Sequence, residues 1–430
     1  MRIKADIVVI GTGAGGATVA KELAKAGKNV LVIERGSFIS KFGTQRAAMA
    51  FYDRCGLRTS REGAIVYRAL MVGGTTVVSC GNGIPVLGKE LLRLGIDLSD
   101  EFEETKQELG IGPLSNNLIG RGSRLIMDTA NKLGLEMQPM PKFIDSKKCI
   151  SCGLCVLGCK TGAKWSAIKF IKEMQSYGGK LITGLNVKSI AVHNRKAIGL
   201  VARSKNQDVR IYANKIILSA GGFGSPVILK RSGIKNAGNK FFVDFLNVTY
   251  GVLKKNRDIN LYKEPAMAVV STKFLEDRGF LISPFIDVPL ILRWTMPKNR
   301  HLRGYRHRNL LGIMTKIKDD SEGKVMENER FYKIPTGRDW QKLNQGADIA
   351  KRILIEAGID KRNIFTTKPR GAHPGGSAAI GEVVNADLRT DIDNLFVCDA
   401  SVLPVSSGAP PIVTIVALAK RLSKFLQRCP

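Results

Sequence analysis

Residues 7–16, IVVIGTGAGG, decide the fold, because an apolar strand there runs directly into a glycine-rich turn. An alanine-rich segment with helical character, residues 17–26, follows the turn and stops at Gly27, a residue that commonly ends helices. The run VLVI at residues 30–33 predicts a second buried strand, which Glu34 closes. The first 36 residues therefore predict one βαβ unit with parallel strands.

The glycine spacing is typical of a dinucleotide-binding turn. Gly11 permits the tight turn, Gly13 lets the backbone approach a pyrophosphate, and Gly16 lets the helix pack on the strand. The start of the helix faces the phosphate charge, and an acidic residue after the second strand suits the ribose hydroxyls. The motif does not separate FAD from NAD. We assign to the cofactor Gly11, Gly13, Gly15, Gly16, Glu34 and Arg35.

A second strand end, near the C-terminus, favours FAD. The segment NLFVCDAS at residues 394–401 predicts an apolar strand that ends on a carboxylate, far along the chain from the first fingerprint. A second cofactor-contacting strand end suits an elongated flavin dinucleotide, and we assign Asp399 and Ala400 to it. A loop of small residues and a segment with helical apolar spacing, residues 412–426, follow.

With these motifs the chain resembles the glucose-methanol-choline (GMC) oxidoreductase family, whose members use FAD to oxidise alcohols. The resemblance is carried by the N-terminal fingerprint and by residues 72–76 (VGGTT), 219–226 (SAGGFGSP), 373–376 (HPGG), 399–401 (DAS) and 414–419 (TIVALA). It implies bound FAD, with Val187 making a backbone contact on the adenine side. It also implies a turn beside the flavin pyrophosphate made by Gly73, Gly74, Thr75 and Ser79, the last standing where an Asn is usual.

The resemblance implies an α/β fold, in which a Rossmann-like FAD-binding domain is built from discontinuous segments and joined to an α+β substrate domain. We predict FAD-binding parts at residues 1–125, 181–240 and 371–430, a cysteine-rich insert at 126–180 and the substrate domain at 241–370. The resemblance does not reach residues 241–370, so it implies no particular substrate.

Alcohol oxidation by a flavin requires a hydride acceptor, which the isoalloxazine supplies, and a group that takes the hydroxyl proton. Histidine suits the second role, because its ordinary pKa of about 6.5 lies near working pH. The resemblance places His373 over the flavin, whereas His193, His301 and His307 lie in polar or basic stretches. The family usually has a second His or Asn where this chain has Pro410, whose side chain offers no hydrogen bond, so a residue of the middle segment could substitute.

Four of the eight cysteines are clustered as Cys149-x2-Cys152-x2-Cys155-x3-Cys159. The spacing resembles the ferredoxin run, with Lys160 in place of the usual proline, and thiolates spaced in this way can wrap a 4Fe–4S cluster. We take these four residues as its ligands. Two alternatives stay open. One is a zinc ion, whose cysteine ligands usually come as two separated pairs. The other is a structural loop, as in GMC proteins that resemble steroid and long-chain alcohol oxidases.

The composition is that of an ordinary globular protein, since 44% of the 430 residues are hydrophobic and 24% are charged. No apolar stretch reaches the roughly 20 residues of a membrane-spanning helix, and clustered cysteines favour a reducing cytoplasm. Because no nucleic-acid module accompanies the net charge of +30, nucleic acid is disfavoured, whereas docking of an acidic protein or peripheral contact with a membrane stays open. The charge is densest at Lys298, Arg300, Arg303, Arg306 and Arg308.

The motifs predict a cytoplasmic FAD-dependent oxidoreductase that acts on the CH–OH group of a small hydroxyl substrate. As a dehydrogenase it would pass electrons through the iron–sulfur cluster to an acidic carrier such as ferredoxin. One alternative runs the flavin in reverse, as a reductase of a carbonyl or a double bond, and Pro410 keeps it open. Another is an electron-transfer subunit without a substrate of its own.

Overall fold

The structure, a computed structural model, describes residues 2–56, 58–62, 64–204, 207–253, 259–298 and 310–428. Most of the predicted basic run, Arg300 to Arg308, lies outside these residues. The described helices are α1 (Ala14–Lys25), α2 (Gln45–Met49), α3 (Gly88–Leu92), α4 (Ser99–Leu109), α5 (Arg121–Lys132), α6 (Ile168–Ser176), α7 (Gly221–Arg231), α8 (Pro289–Thr295), α9 (Gly337–Glu356) and α10 (Ile412–Arg428).

The strands form two large sheets and several small ones. In chain order they are β1 (Arg2–Ile10), β2 (Val30–Ile33), β3 (Arg58–Thr59), β4 (Ile65–Val66), β5 (Gly112–Pro113), β6 (Gln138–Pro139), β7 (Pro141–Lys142), β8 (Lys180–Ile182), β9 (Asn186–His193), β10 (Lys196–Ser204), β11 (Gln207–Leu218), β12 (Phe245–Val252), β13 (Val269–Val270), β14 (Phe280–Pro284), β15 (Leu310–Ile317), β16 (Lys324–Val325), β17 (Phe331–Tyr332), β18 (Ile364–Thr366), β19 (Arg370–Gly371) and β20 (Leu395–Val397).

The first large sheet has the strand order β8-β2-β1-β11-β10-β9, with β20 beside β11. The predicted βαβ unit is confirmed, because β1 pairs in parallel with β2 and helix α1 connects them. Helix α1 begins at Ala14, inside the glycine motif, rather than at the predicted residue 17. Strand β1 starts at Arg2 because it pairs along its length with β11, a partner more than 200 positions away that the local apolar pattern does not show.

The second large sheet has the order β14-β15-β12-β19-β4-β3, with β18 also beside β12. Its central strands β12 and β15 pair antiparallel and are buried along nearly their whole length, and α9 packs against them. Two of its short strands, β3 and β4, come from the N-terminal part of the chain, and β4 pairs with β19. The second sheet is therefore assembled from distant segments.

One hydrophobic core joins the two sheets, since apolar residues of β1, β11, β12 and β15 belong to the same buried cluster. The arrangement confirms the predicted mixed α/β fold with a Rossmann-like part. Within the part of the chain that is described, no helix is long and apolar enough to cross a membrane.

Candidate active site

A cavity of about 450 Å³ lies where the two sheets meet. Its lining includes the residues that directly follow β1, β2 and β11, namely Gly11, Glu34 and Ser219, and from the second sheet Lys316 and Arg370. The carboxyl ends of the parallel strands therefore open into it, which is where ligands bind in open α/β sheets.

Two glycines of the fingerprint have different surroundings. A Cβ atom added to Gly13 would meet nothing within 4 Å, so the backbone at the start of α1 is open toward the cavity. A Cβ atom on Gly15 would lie 1.9 Å from the carbonyl oxygen of Cys398, because helix α1 packs directly on the end of β20. The open backbone at a helix N-terminus suits a phosphate group.

Glu34 is buried at the end of β2 and is tied to the fingerprint by hydrogen bonds. Its carboxylate accepts bonds from the Thr12 amide (3.1 Å), the Thr12 hydroxyl (2.5 Å) and the Gly36 amide (2.7 Å). The Thr12 hydroxyl in turn accepts a bond from the Gly73 amide at 3.0 Å. Burial raises the pKa of Glu34, and these hydrogen bonds oppose the rise. Thr12, to which the sequence analysis gave no role, links the two glycine turns.

Asp399 connects the end of β20 to the start of α7. Its carboxylate accepts bonds from the amides of Gly221 (2.7 Å) and Ser401 (2.7 Å) and from the Ser225 hydroxyl (2.5 Å). Burial raises its pKa. The carboxylate thus ties the end of β20 to the start of α7 in the cavity wall.

Most of the predicted site residues meet in this one cavity, although their roles stay predictions. Gly16 and Gly73 do not line it: Gly16 packs on the carbonyl oxygen of Gly11, and Gly73 bonds to Thr12. The predicted residues that do line it are Gly11, Gly13, Gly15, Glu34, Arg35, Gly74, Thr75, Ser79, Val187, His373, Asp399 and Ala400.

His373 lies in the cavity wall between two charged side chains. Its Nδ1 atom is 2.9 Å from Oδ2 of Asp244 and 3.1 Å from Nζ of Lys316. Burial, followed by the positive charge of Lys316, lowers the pKa of His373 to about 4, against the influence of Asp244. The imidazole is therefore neutral at physiological pH, with a pKa well below the ordinary value that the sequence analysis assumed.

Asp244 is completely buried behind His373. Its carboxylate accepts bonds from the hydroxyls of Ser406 (2.6 Å) and Ser407 (3.0 Å) and from the Gly408 amide (3.2 Å). Burial alone would raise the pKa of Asp244, but the His373 bond and the charge of Lys316 bring it below its ordinary value. The loop of small residues before Pro410 thus holds an anion in place.

Lys316 is 2% exposed, and burial lowers its pKa to about 8. It lines the same cavity as Pro410 and His373. Sequence reasoning found neither Lys316 nor Asp244, because no motif marks them. One feature of the sequence could have indicated Lys316, namely a charged residue in the mostly apolar run LLGIMTKI. Lys316 is therefore a second titratable group beside the expected flavin position, next to His373.

The four clustered cysteines are free thiols and line a separate cavity of about 20 Å³. Among the described residues, no three or more His, Cys, Asp or Glu side chains are close enough to hold a metal ion. The ligand set expected at Cys149, Cys152, Cys155 and Cys159 is therefore not assembled as a metal site, and the same observation counts against a zinc ion there.

Comparison with known proteins agrees with this geometry. Two models of GMC oxidoreductases match residues 95–249 and 334–419, and a model of FAD-dependent oxidoreductases matches residues 6–119. An uncharacterized protein of Methanocaldococcus jannaschii is 32% identical over 97% of this chain and 98% of its own length. A long-chain-alcohol oxidase of Arabidopsis thaliana is 24% identical over 98% of this chain and 67% of its own length.

Solved structures share the fold. Pyridoxine 4-oxidase from Mesorbium loti has a TM-score of 0.74 at 16% identity, covering 98% of this chain and 99% of its own. Formate oxidase has a TM-score of 0.74 at 14% identity, covering 99% of this chain and 98% of its own. The matched ranges include the glycine turn after β1 and the loop that carries His373, both of which line the cavity. These matches establish that this chain is an FAD-dependent oxidoreductase that belongs to the GMC oxidoreductase family.

Proposed function

We propose that the protein oxidises the CH–OH group of a small hydroxyl donor, with His373 as the proton acceptor. The observation that carries this proposal is the contact between Nδ1 of His373 and the buried carboxylate of Asp244, in the wall of the cavity that suits FAD. When bound, FAD supplies the acceptor for the hydride that leaves the donor carbon.

The cavity has the parts that FAD requires. The open backbone at Gly13 would face the pyrophosphate, with Gly74 and Thr75 on the neighbouring turn. Glu34 would accept hydrogen bonds from the ribose hydroxyls, and Val187 would meet the adenine side. These assignments give individual residues a role in binding FAD, and each role can be tested by a single substitution.

Asp244 determines which nitrogen of His373 can accept a proton. An ionised carboxylate only accepts hydrogen bonds, so Nδ1 donates its hydrogen to Asp244 and Nε2 keeps a free lone pair. The hydroxyl proton of the donor is transferred to Nε2 as the hydride leaves the adjacent carbon, and the product is a carbonyl compound. Asp244 then faces the imidazolium and stabilises its charge.

The lining that the second sheet and α8 contribute to the cavity favours a donor with an apolar body. Met314 lies two residues before Lys316 on β15, and therefore on the same face of the strand. Leu246, Phe285 and Ile291 also line the cavity. We infer that the donor carries an alkyl or aryl group beside its hydroxyl.

The test is anaerobic bleaching of the flavin absorbance by a series of alcohols. With a donor identified in this way, His373→Ala keeps its FAD and loses about 10² to 10⁴ in the rate of bleaching, the usual contribution of general acid–base catalysis. His193→Ala, at an exposed position of β9, is the matched control and bleaches at the wild-type rate. An undiminished rate in His373→Ala would place the base elsewhere in the cavity.

The pH dependence follows from the lowered pKa of His373. Since the base must be neutral, the rate rises with pH through about 4, whereas an ordinary histidine would give a rise near 6.5. Bleaching is therefore already at its plateau at pH 6.

Two other outcomes would favour the alternative functions. If alcohols do not bleach the flavin but carbonyl or alkene compounds reoxidise the dithionite-treated protein, the protein is a reductase. If neither class of compound reacts, the result favours an electron-transfer subunit.

We further propose that electrons leave the flavin through a 4Fe–4S cluster at the cysteine loop, toward an acidic carrier such as ferredoxin. The four thiols share one small cavity with Lys164, although they would have to turn to hold a cluster. The Lys164 ammonium is buried and donates to the carbonyls of Val77 (2.8 Å), Ser79 (2.5 Å) and Cys155 (3.0 Å). Among the described residues it has no carboxylate partner. A buried cation without a counter-charge favours an anionic neighbour, such as a thiolate-bound cluster.

Iron and acid-labile sulfide of anaerobically purified protein test this relay. About four irons per chain are expected, with broad visible absorbance that Cys152→Ser removes while FAD is retained. Cys80→Ser is the control, because Cys80 lines the FAD cavity and lies outside the four-cysteine spacing. Protein that holds FAD but neither iron nor sulfide would make the cysteines a structural loop.

A further inference from the structure

Pro410 stands where the family usually has a His or Asn, and its side chain offers no hydrogen bond. A buried lysine of the middle segment lies beside the histidine instead. Lys316 reaches His373 from β15, and both side chains line the cavity together with Pro410. We propose that Lys316 is the polar partner of His373 and that its charge keeps the imidazole in the neutral, proton-accepting form.

The geometry around Nδ1 supports this role. The Nδ1 atom has a single in-plane position for a hydrogen bond, yet Asp244 Oδ2 lies 2.9 Å and Lys316 Nζ 3.1 Å from it. A carboxylate can only accept and an ammonium group can only donate, so both cannot bond to Nδ1 together. With Asp244 held as an anion by the Ser406 hydroxyl and the Gly408 amide, Nδ1 carries the hydrogen and Lys316 remains as a cation against the ring.

A cation at this distance opposes protonation of the ring. Imidazolium would place a second positive charge about 3 Å from the ammonium. Lys316 and Asp244 are buried and the His373 side chain is 22% exposed, so water screens the repulsion only from the cavity side. Burial and then the charge of Lys316 lower the pKa of His373, so the lysine adds to the effect of burial. After the proton transfer, the same repulsion favours transfer of the proton from Nε2 to water, which reaches the partly exposed ring, so the base is restored for the next turnover.

The other charged groups near the pair do not replace Lys316. Asp244 favours the imidazolium, and Asp319 pairs with Lys333 at 2.8 Å. Arg370, at the start of β19, pairs with Asp287. Cys80 faces Lys316 from the loop after residue 78, and burial raises the pKa of its thiol to about 11, so it is neutral. Lys316 is therefore the cation that lowers the pKa of His373. Among the described residues, Asp244 is the charged group that raises it.

This inference rests on the proposed function for its consequence in turnover, but its test needs no substrate. The chain has four histidines, so nitrogen NMR of ¹⁵N-histidine-labelled, FAD-loaded protein can follow each imidazole, with His373 assigned from His373→Ala. In the wild type we expect Nδ1 protonated, Nε2 bare and no titration of His373 between pH 5 and 8. Titration of wild-type His373 near 6.5 would overturn the proposal without any lysine variant.

Removing the charge tests the lysine directly. In Lys316→Met the titration midpoint of His373 rises by at least about one pH unit, a tenfold gain in proton affinity, whereas Lys316→Arg keeps it low. Lys324→Met, at an exposed position of β16, leaves the midpoint unchanged. An unchanged midpoint in folded, FAD-containing Lys316→Met would refute the electrostatic role.

The kinetic counterpart separates this role from the proposed function. With a donor available, the acid limb of bleaching moves to higher pH in Lys316→Met by the same amount as the NMR midpoint. If the NMR shift occurs but no alcohol bleaches the flavin, the lysine acts on His373 as inferred and the assigned reaction is wrong. If alcohols bleach the flavin with an unmoved acid limb and midpoint, the reaction stands and the lysine is structural.

Discussion

Glu34 shows how one side chain serves both the fold and the expected cofactor, since its carboxylate already bonds to Thr12 and Gly36 and would also accept from the ribose. We predict that Glu34→Ala weakens FAD binding by about 10- to 150-fold, the equivalent of about 1.5 to 3 kcal/mol for a hydrogen bond to a charged acceptor. Equilibrium dialysis of released and rebound FAD measures it. Glu103→Ala, on the exposed face of α4, is the control and binds FAD normally. Unchanged affinity in Glu34→Ala would remove the ribose contact from this residue.

Helix α9, which covers the buried strands of the second sheet, begins with a complete capping box. The Thr336 hydroxyl accepts a bond from the Asp339 amide (3.2 Å), and the Asp339 carboxylate accepts one from the Thr336 amide (3.0 Å). We expect Thr336→Ala to lower the free energy of unfolding by about 0.5 to 2 kcal/mol, because it removes the cap. Thr336→Ser keeps the hydroxyl and most of the stability in urea unfolding. Equal midpoints for both variants would show that the cap contributes nothing measurable.

At the scale of the whole molecule, the candidate active site is formed by segments that are far apart in the sequence. The proposed base, His373, is on the loop after β19, its carboxylate partner Asp244 precedes β12, and Lys316 is on β15. His373 and Asp244 are separated by 129 positions, and His373 and Lys316 by 57. Strands β3 and β4, from residues 58–66, join the same sheet as these residues. The expected FAD site and the expected substrate site therefore share one cavity and one core.

The sequence by itself determined the parts of this protein that are written in consecutive residues. The glycine turn, the strand before it and the helix after it form one local unit, so their pattern predicted β1, α1 and β2 together, and the helical spacing of residues 412–426 predicted α10. The predicted fold class, FAD and oxidoreductase activity are confirmed, whereas the 4Fe–4S cluster and the acidic carrier stay predictions.

Only the tertiary structure decided the chemical state of the site. Strand β1 was predicted too short because its first residues are stabilised by pairing with β11 rather than by an apolar run. Lys316 and Asp244 carry no motif, and their effect on His373 depends on distance and burial, which arise from strand pairing across the second sheet. Local patterns report which residues become helix or strand, but charges act through space, so the pKa of a side chain is set by neighbours that only folding brings together.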